Sequence, residues 1–322
     1  MIEVPVIVVG GGPAGSSCAR RLRELGIDCL VLDRESFPRL KLCGGLVTQE
    51  AARDLAIREQ DYPYGWRWID RFYFHFRGWS VFLPSPQISI RRFEFDHWLL
   101  ARSGARVARH TVREITRENG RFIIDGRYAC AFLVGAGGTK CPVHRALFRS
   151  ARVWDRERQI TALELEFRHE ARDPHCHFWF FEDGFPGYYW YIPKAEGWLN
   201  LGVGALSAEL RRRQDNIWRH WDRLLRILRA RGWLDDDVPR PGGHTYYLRA
   251  EPDCVARDGA FLVGDAAGLA TRDLGEGIRP AIESGIRAAE AIAGRGPYSL
   301  EGLESWSAGS LLRAMWKRRA IF

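Results

Sequence analysis

The chain has 322 residues, of which 27% are charged and 46% hydrophobic, with a formal net charge of +8. That length suits two intimately joined domains, and the composition excludes a disordered chain. The positive charge would suit an anionic membrane surface, an acidic partner or nucleic acid. Its carriers are mostly scattered Arg residues, however, so a solvated basic surface is the expectation and nucleic acid is not an expected partner.

Seven cysteines, at positions 18, 29, 43, 130, 141, 176 and 254, include no CxxC pair. This argues against a disulfide framework and a zinc ribbon, and suits a reducing, cytoplasmic compartment. No basic leader precedes the first strand-like run, and no stretch reaches the roughly 18 apolar residues of a membrane span. Thirteen Trp residues and 12% aromatics would fill a core or line a large apolar pocket.

In chain order, the β-branched run over 4–9 predicts a buried strand, broken by glycines at 10–15. Ala14, Cys18, Leu22 and Leu25 then recur at helical spacing up to Gly26, and 29–32 predicts a second strand. Together these form a βαβ unit, the opening of a doubly wound fold. Residues 66–91 change character: Phe72, Phe74 and Phe76 alternate, and Gly78, Pro84 and Pro86 punctuate them, predicting antiparallel strands. Helical spacing returns at 95–100, followed by strands near 106–109, 112–115, 122–124 and 132–134. Strand patterns resume over 161–167, 177–181, 188–192 and 199–203.

Residues 209–231 predict one amphipathic helix, with Ile217, Trp221, Leu224 and Leu228 on one stripe and Arg on the other face. Such a helix would allow peripheral contact with a membrane, although a solvated outer face is the simpler reading. A strand at 261–263 leads through Gly264 into a helix reaching Ala293, and a basic apolar end carries Trp316, Lys317, Arg318 and Arg319. The fold expected is α/β (α+β overall), a Rossmann-like domain with an interleaved antiparallel-sheet substrate domain. The nucleotide domain takes 1–65, 92–158 and 250–295, the substrate domain 66–91 and 159–249, and 296–322 is a short tail.

The segment Gly10-Gly11-Gly12-Pro13-Ala14-Gly15 fits GxGxxG between a strand and a helix. Gly10 permits the tight turn, Gly12 lets backbone approach a pyrophosphate, and Gly15 allows close helix–strand packing. The helix start offers free N–H groups to phosphate oxygens. Asp33 ends the second strand 18 residues after Gly15. A carboxylate there accepts ribose hydroxyls, each charged bond contributing about 1.5–3 kcal/mol. It would repel a 2′-phosphate by something on the order of 4 kcal/mol. FAD or NAD therefore fits, and NADP does not. Arg34 either flanks the adenine or is a surface residue.

Two later segments favour FAD, which needs contacts from several strand ends. One is the strand running into Gly135-Ala136-Gly137-Gly138; the other is Gly264-Asp265-Ala266-Ala267-Gly268, where Asp265 would accept a ribityl hydroxyl. Gly275-Glu276-Gly277-Ile278 provides a further bare turn able to lie against a flat ring.

These three segments resemble the flavin fingerprints of the para-hydroxybenzoate hydroxylase superfamily, and Arg92-x-x-Phe95-Asp96-x-x-Leu99 resembles its helix behind the flavin. The resemblance covers residues 1 to about 293 and implies non-covalent FAD, held by Gly10, Gly12, Pro13, Ala14, Gly15, Asp33, Arg34, Cys43, Gly44, Gly45, Arg92, Val112, Gly137, Gly264, Asp265, Gly275, Gly277 and Ile278. Gly137 stands where those hydroxylases carry an Asp linked to FAD and NAD(P)H contacts, which speaks against direct hydroxylase-style use of NADPH.

Lys41-Leu42-Cys43-Gly44-Gly45 resembles a segment of geranylgeranyl reductases. So do Tyr188-x-Trp190-x-Ile192-Pro193-Lys194 and the following Asn200-x-Gly202-x-Gly204, with Ile192 replacing their Phe. Flavin-dependent halogenases carry a related Trp-x-Trp-x-Ile-Pro segment. The resemblance implies a flavin-dependent reductase acting on carbon–carbon double bonds of an apolar, isoprenoid-type or lipid substrate, with an external electron donor, either NAD(P)H or a reduced redox protein. Tyr188, Trp190, Ile192 and Pro193 would line the substrate pocket, and Cys43 would be the catalytic proton donor. A lone Cys is more often a buried small hydrophobe. Rival expectations are an oxygen-using monooxygenase or halogenase, and a flavoprotein redox partner without a small substrate. The 29 residues after Ala293 are fewer than the family usually has, implying a smaller cap on the substrate site, a compact variant, or a partner completing the pocket. His175-Cys176-His177 would alternate faces on a strand, so these three adjacent side chains cannot converge and no metal is expected.

Overall fold

The computed structural model describes residues 1–76, 78–150, 154–235, 237–250 and 254–306. The basic apolar cluster at 316–319 lies outside the described residues. The chain forms two compact units. One holds Met1–Arg39, Phe93–Trp154 and the described residues from Tyr247 onward; the other holds Leu40–Arg92 and Asp155–Tyr246. Residues 40–65 thus fall in the second unit, with the strands that follow them.

The first unit is built on β1 (Ile2–Val9), which pairs in parallel with β2 (Cys29–Asp33) and β9 (Tyr128–Gly135). Parallel pairing continues outward to β6 (Arg106–Arg109) and β16 (Ala260–Leu262). Antiparallel additions are β15 (Ala256–Arg257) and the pair β7 (Ile115–Glu118) and β8 (Arg121–Ile124). Strand β1 is apolar throughout its second half because both faces are covered. Val6 and Val8 pack among Cys18, Leu22 and Ala288 of the helices α1 (Pro13–Glu24) and α6 (Ile278–Ile292). Ile7 and Val9 pack among Leu133, Phe148 and Leu262. Helix α3 (Arg92–Ser103) contributes Leu100 to the first of these clusters.

The second unit is a sheet in the order β14-β10-β13-β12-β11-β4-β5-β3. Its strands are β3 (Leu46–Thr48), β4 (Arg67–Phe76), β5 (Trp79–Ser89), β10 (Gln159–Arg168), β11 (Cys176–Phe180), β12 (Gly187–Pro193), β13 (Trp198–Leu206) and β14 (Gly242–Tyr247). Against the expected antiparallel pattern, β4 and β11 pair in parallel. Leu163, Tyr189, Tyr191, Leu201 and Val203 pack with Trp221, Leu224 and Leu228 of α5 (Ile217–Ala230). The short α2 (Gln49–Asp54) starts at Thr48, whose hydroxyl accepts the Ala51 N–H.

Three expected elements differ. The helix over 209–231 is two helices, α4 (Ser207–Arg212) and α5, because Gln214 is left-handed (φ 52°) and the Asn216 side chain caps the second helix. The strand near 112 begins only at Ile115, because Asp125 Oδ1 accepts the N–H groups of Arg113 and Glu114. The segment after Gly264 is one 3-10 turn, Gly264–Ala267, and α6 starts at Ile278.

Candidate functional site

In the first unit three glycine-bearing strand ends meet. Gly10 turns with φ 113°, and a Cβ there would lie 2.3 Å from the Ala136 carbonyl oxygen; only glycine fits. A Cβ on Gly15 would lie 1.8 Å from the Gly10 carbonyl oxygen, so helix α1 leaves the strand end at closest approach. Gly264 also approaches α1, its missing Cβ 3.1 Å from the Ala14 Cβ. The segments starting at 10, 135 and 264, dispersed in sequence, thus share one neighbourhood.

Asp33 anchors the loop. Its Oδ2 accepts the Gly11 N–H at 2.7 Å and its Oδ1 accepts the Glu35 N–H at 2.9 Å. Each oxygen keeps a lone pair for a further donor. The N-cap of α1 is Gly12, with Pro13 at the first helical position and no side chain closing the helix end. A Cβ on Gly12 would meet the Arg39 guanidinium at 3.4 Å, and that guanidinium is 3.2 Å from the fully buried Asp96 carboxylate. Open N–H groups and a fixed cation at one helix start are what a pyrophosphate needs. The residues present fit a dinucleotide.

Gly137 has a local cause. A Cβ there would lie 3.2 Å from both Cys141 Cα and Pro142 Cδ, so the Cys141-Pro142 turn leaves little room for a side chain. Gly275 is left-handed (φ 66°), and Gly277 caps α6 with its missing Cβ 3.4 Å from Asp265 Oδ1; Ile278 is buried as the first residue of that helix. Arg34 is exposed and paired with Glu35, and Val112 is buried in the core of the unit. Arg92 opens α3 and is buried.

In the second unit the Cys43 segment and the β12 strand come together. A Cβ on Gly44 would lie 3.0 Å from Ile192 Cδ1. Gly45 is left-handed, with a Cβ position 2.2 Å from the Ile90 carbonyl oxygen and 2.7 Å from Lys194 Nζ. The fully buried Lys194 ammonium donates to the carbonyls of Gly44 and Gly45. Burial holds its pKa below the usual lysine range. The Pro193 carbonyl accepts the Ser89 hydroxyl at 2.8 Å.

Trp190 lies across β13. Its indole N–H donates to Asn200 Oδ1 at 2.8 Å, and a Cβ on Gly202 would fall 1.9 Å from the indole ring. Asn200-x-Gly202-x-Gly204 is therefore a bed for this one side chain. Asn200 Nδ2 donates in turn to Glu164 Oε1 at 2.9 Å, and the same oxygen accepts the Cys43 N–H at 2.5 Å. Glu164 is 2% exposed. Burial pushes its pKa up to about 7, against the bonds from Asn200 and Cys43 and the charge of Lys194. Both accepted bonds fall on Oε1, which leaves Oε2 to carry a proton.

Glu164 and Arg39 were not expected at the site. Glu164 alternates with Leu163 and Leu165, the pattern of a residue facing water. All seven cysteines are free thiols, and no helix among the described residues is long and apolar enough to cross a membrane.

A model of the FAD binding domain family matches residues 3–50. A menaquinone reductase of Mycolicibacterium smegmatis is 30% identical over 325 residues, covering 90% of this chain and 76% of that protein. A digeranylgeranylglycerophospholipid reductase of Methanopyrus kandleri is 26% identical over 312 residues, covering 91% and 77%. The chain belongs to the geranylgeranyl reductase family of FAD-dependent oxidoreductases. Its fold matches that of a geranylgeranyl bacteriochlorophyll reductase-like protein from Thermoplasma acidophilum, with a TM-score of 0.81, 21% identity and coverage of 99% and 84%. As a member of this family the protein is an enzyme, and FAD is its cofactor.

Proposed function

We propose that the protein hydrogenates a carbon–carbon double bond of an apolar, isoprenoid-type lipid. The observation carrying this reading is the aromatic face of the second sheet, where Phe72, Phe74, Phe178, Phe180, Tyr188 and Trp190 lie together on paired strands. A digeranylgeranyl lipid and menaquinone, named in the relatives' activities, are apolar substrates of the kind such a face suits.

In the first unit, Asp33 would accept ribose hydroxyls, the start of α1 with Gly12 and Arg39 would take the pyrophosphate, and Asp265 would accept from the ribityl chain. FAD held there would supply hydride chemistry, drawing its electrons from an external donor, either NAD(P)H or a reduced redox protein. In the second unit, Tyr188, Trp190, Ile192 and Pro193 shape a dry wall for the hydrocarbon. Cys43 holds the proton that completes the saturated bond. Glu164, bonded to the Cys43 backbone and titrating near neutrality, positions that segment. Peripheral contact with a membrane would give such a substrate a route in.

The test is anaerobic reduction of the bound flavin followed by reoxidation with polyprenyl lipids. We expect stoichiometric reoxidation with loss of one double bond. Failure with every alkene, together with product oxygenation or halogenation under O2, would replace this reading with an oxygen-using flavoenzyme. Reoxidation only by protein carriers would mark a redox partner.

A further inference from the structure

We propose that Asp173, His175 and His177 form a binding site for one divalent transition-metal ion, Zn2+ by ligand preference. In Asp173-Pro174-His175-Cys176-His177 the chain bends at Asp173 and His175 and enters β11 at Cys176, which brings the three side chains together. Asp173 Oδ1 lies 3.0 Å from His175 Nδ1 and 3.0 Å from His177 Nε2, and the three ligand atoms lie within 4.8 Å of one another. Bonds of about 2.0–2.1 Å in a tetrahedral site separate neighbouring ligand atoms by about 3.3 Å. Small side-chain adjustments suffice.

A second observation is the state of His177. It is 3% exposed, and its Nε2 is aimed at Asp173 Oδ1 at 3.0 Å. Its other nitrogen, Nδ1, is 2.9 Å from His75 Nε2, and His75 Nδ1 is 2.7 Å from the Ser80 hydroxyl. With protons on His177 Nδ1 and His75 Nδ1, this chain presents the Nε2 lone pair to the carboxylate; with the reverse tautomers Nε2–H donates to it instead. In the first of these tautomers a divalent cation takes the place that the Nε2 proton takes in the other. An outer chain that fixes the tautomer of a ligating histidine accompanies most metal-bound imidazoles. The ring is held by stacking on Tyr73 at 5.0 Å and His75 at 5.2 Å.

Two imidazole nitrogens and one carboxylate oxygen, with a water completing four-coordination, select a borderline ion over Ca2+ or Mg2+. Asp173 and His175 are partly exposed, which leaves the ion an entry path and the water its place. Arg231, held over the Trp179 and Trp233 rings, contributes positive charge to this neighbourhood, so chelator should remove the ion. Once bound, the ion would clip the segment before β11 to β11 itself and, through His75, to β4.

The test is calorimetric titration of the chelator-stripped FAD-bound protein with ZnCl2, alongside cobalt(II) substitution. We expect one equivalent bound, a raised Tm and a cobalt spectrum without sulfur-to-metal charge transfer, which excludes the cysteines as ligands. His175→Gln, at a partly exposed position, and Asp173→Asn should each lose that equivalent and the Tm increase while keeping bound FAD and the wild-type circular dichroism. No saturable Zn2+ uptake by the wild type, undiminished uptake by His175→Gln, or thiolate bands with cobalt would each overturn the assignment.

Discussion

Glu164 carries the clearest single-residue consequence. A carboxyl buried against Asn200 and the Cys43 N–H has its pKa raised to about 7, so the fold favours its protonated form. That contribution is fully present below the unfolded pKa of about 4.3 and is lost as pH rises through 7. At about 1.4 kcal/mol per pKa unit it amounts to roughly 4 kcal/mol. Glu164→Gln keeps an acceptor for both bonds and cannot ionise. We expect urea unfolding to show the wild type losing about that much relative to Glu164→Gln between pH 4.5 and 8. Parallel pH profiles for the two proteins would show that Glu164 titrates as an ordinary carboxyl. This residue was not legible in the sequence, because period-two alternation with leucines describes a solvent-facing strand position equally well. Burial at 164 depends on Cys43 and Asn200, which local pattern cannot place.

Between elements, the contact that decides the cradle is α1 against α6. A Cβ at Gly285 would fall 2.2 Å from the Ala14 carbonyl oxygen, and Gly264 approaches the same residue from the strand end. Gly285→Ala would push α6 off the helix that starts at the glycine loop. We expect a loss of 1–3 kcal/mol in unfolding free energy, as for overpacked cores, and weaker FAD retention on gel filtration. Unchanged stability would mean that the two helices separate without penalty. The βαβ opening was readable because its strand, glycines and helix are contiguous. The late start of α6 was not: small residues after Gly264 permit a helix, whereas Gly268, Gly275 and the bonds between Thr271 and Glu276 make a loop of the segment.

For the whole molecule, the cofactor couples binding to stability. A ligand bound only by the folded protein stabilises it by about 2.7 kcal/mol at one hundred times its Kd. Saturating FAD should therefore raise the calorimetric Tm of the apoprotein, and NAD at the same concentration should leave it unchanged. Equal stabilisation by NAD would contradict the dependence on three strand ends. Only a dinucleotide long enough to reach the segments at 10, 135 and 264 would use all of them.

The amino-acid sequence by itself determined the chemistry that depends on adjacency. Glycines that must turn or yield space, an acid at the end of the next strand, and a Tyr-x-Trp strand followed by Asn-x-Gly-x-Gly are short-range requirements of backbone geometry, so they are written contiguously. Tertiary structure alone decided what depends on burial and on pairing across the chain. It set Glu164 beneath Cys43, 121 residues away, placed Arg39 beside Asp96 at the start of α1, and turned Asp173, His175 and His177 toward one point with His75 behind them. Charge states and convergent side chains follow from which groups lose water and what they face, and those neighbours exist only once the strands have paired.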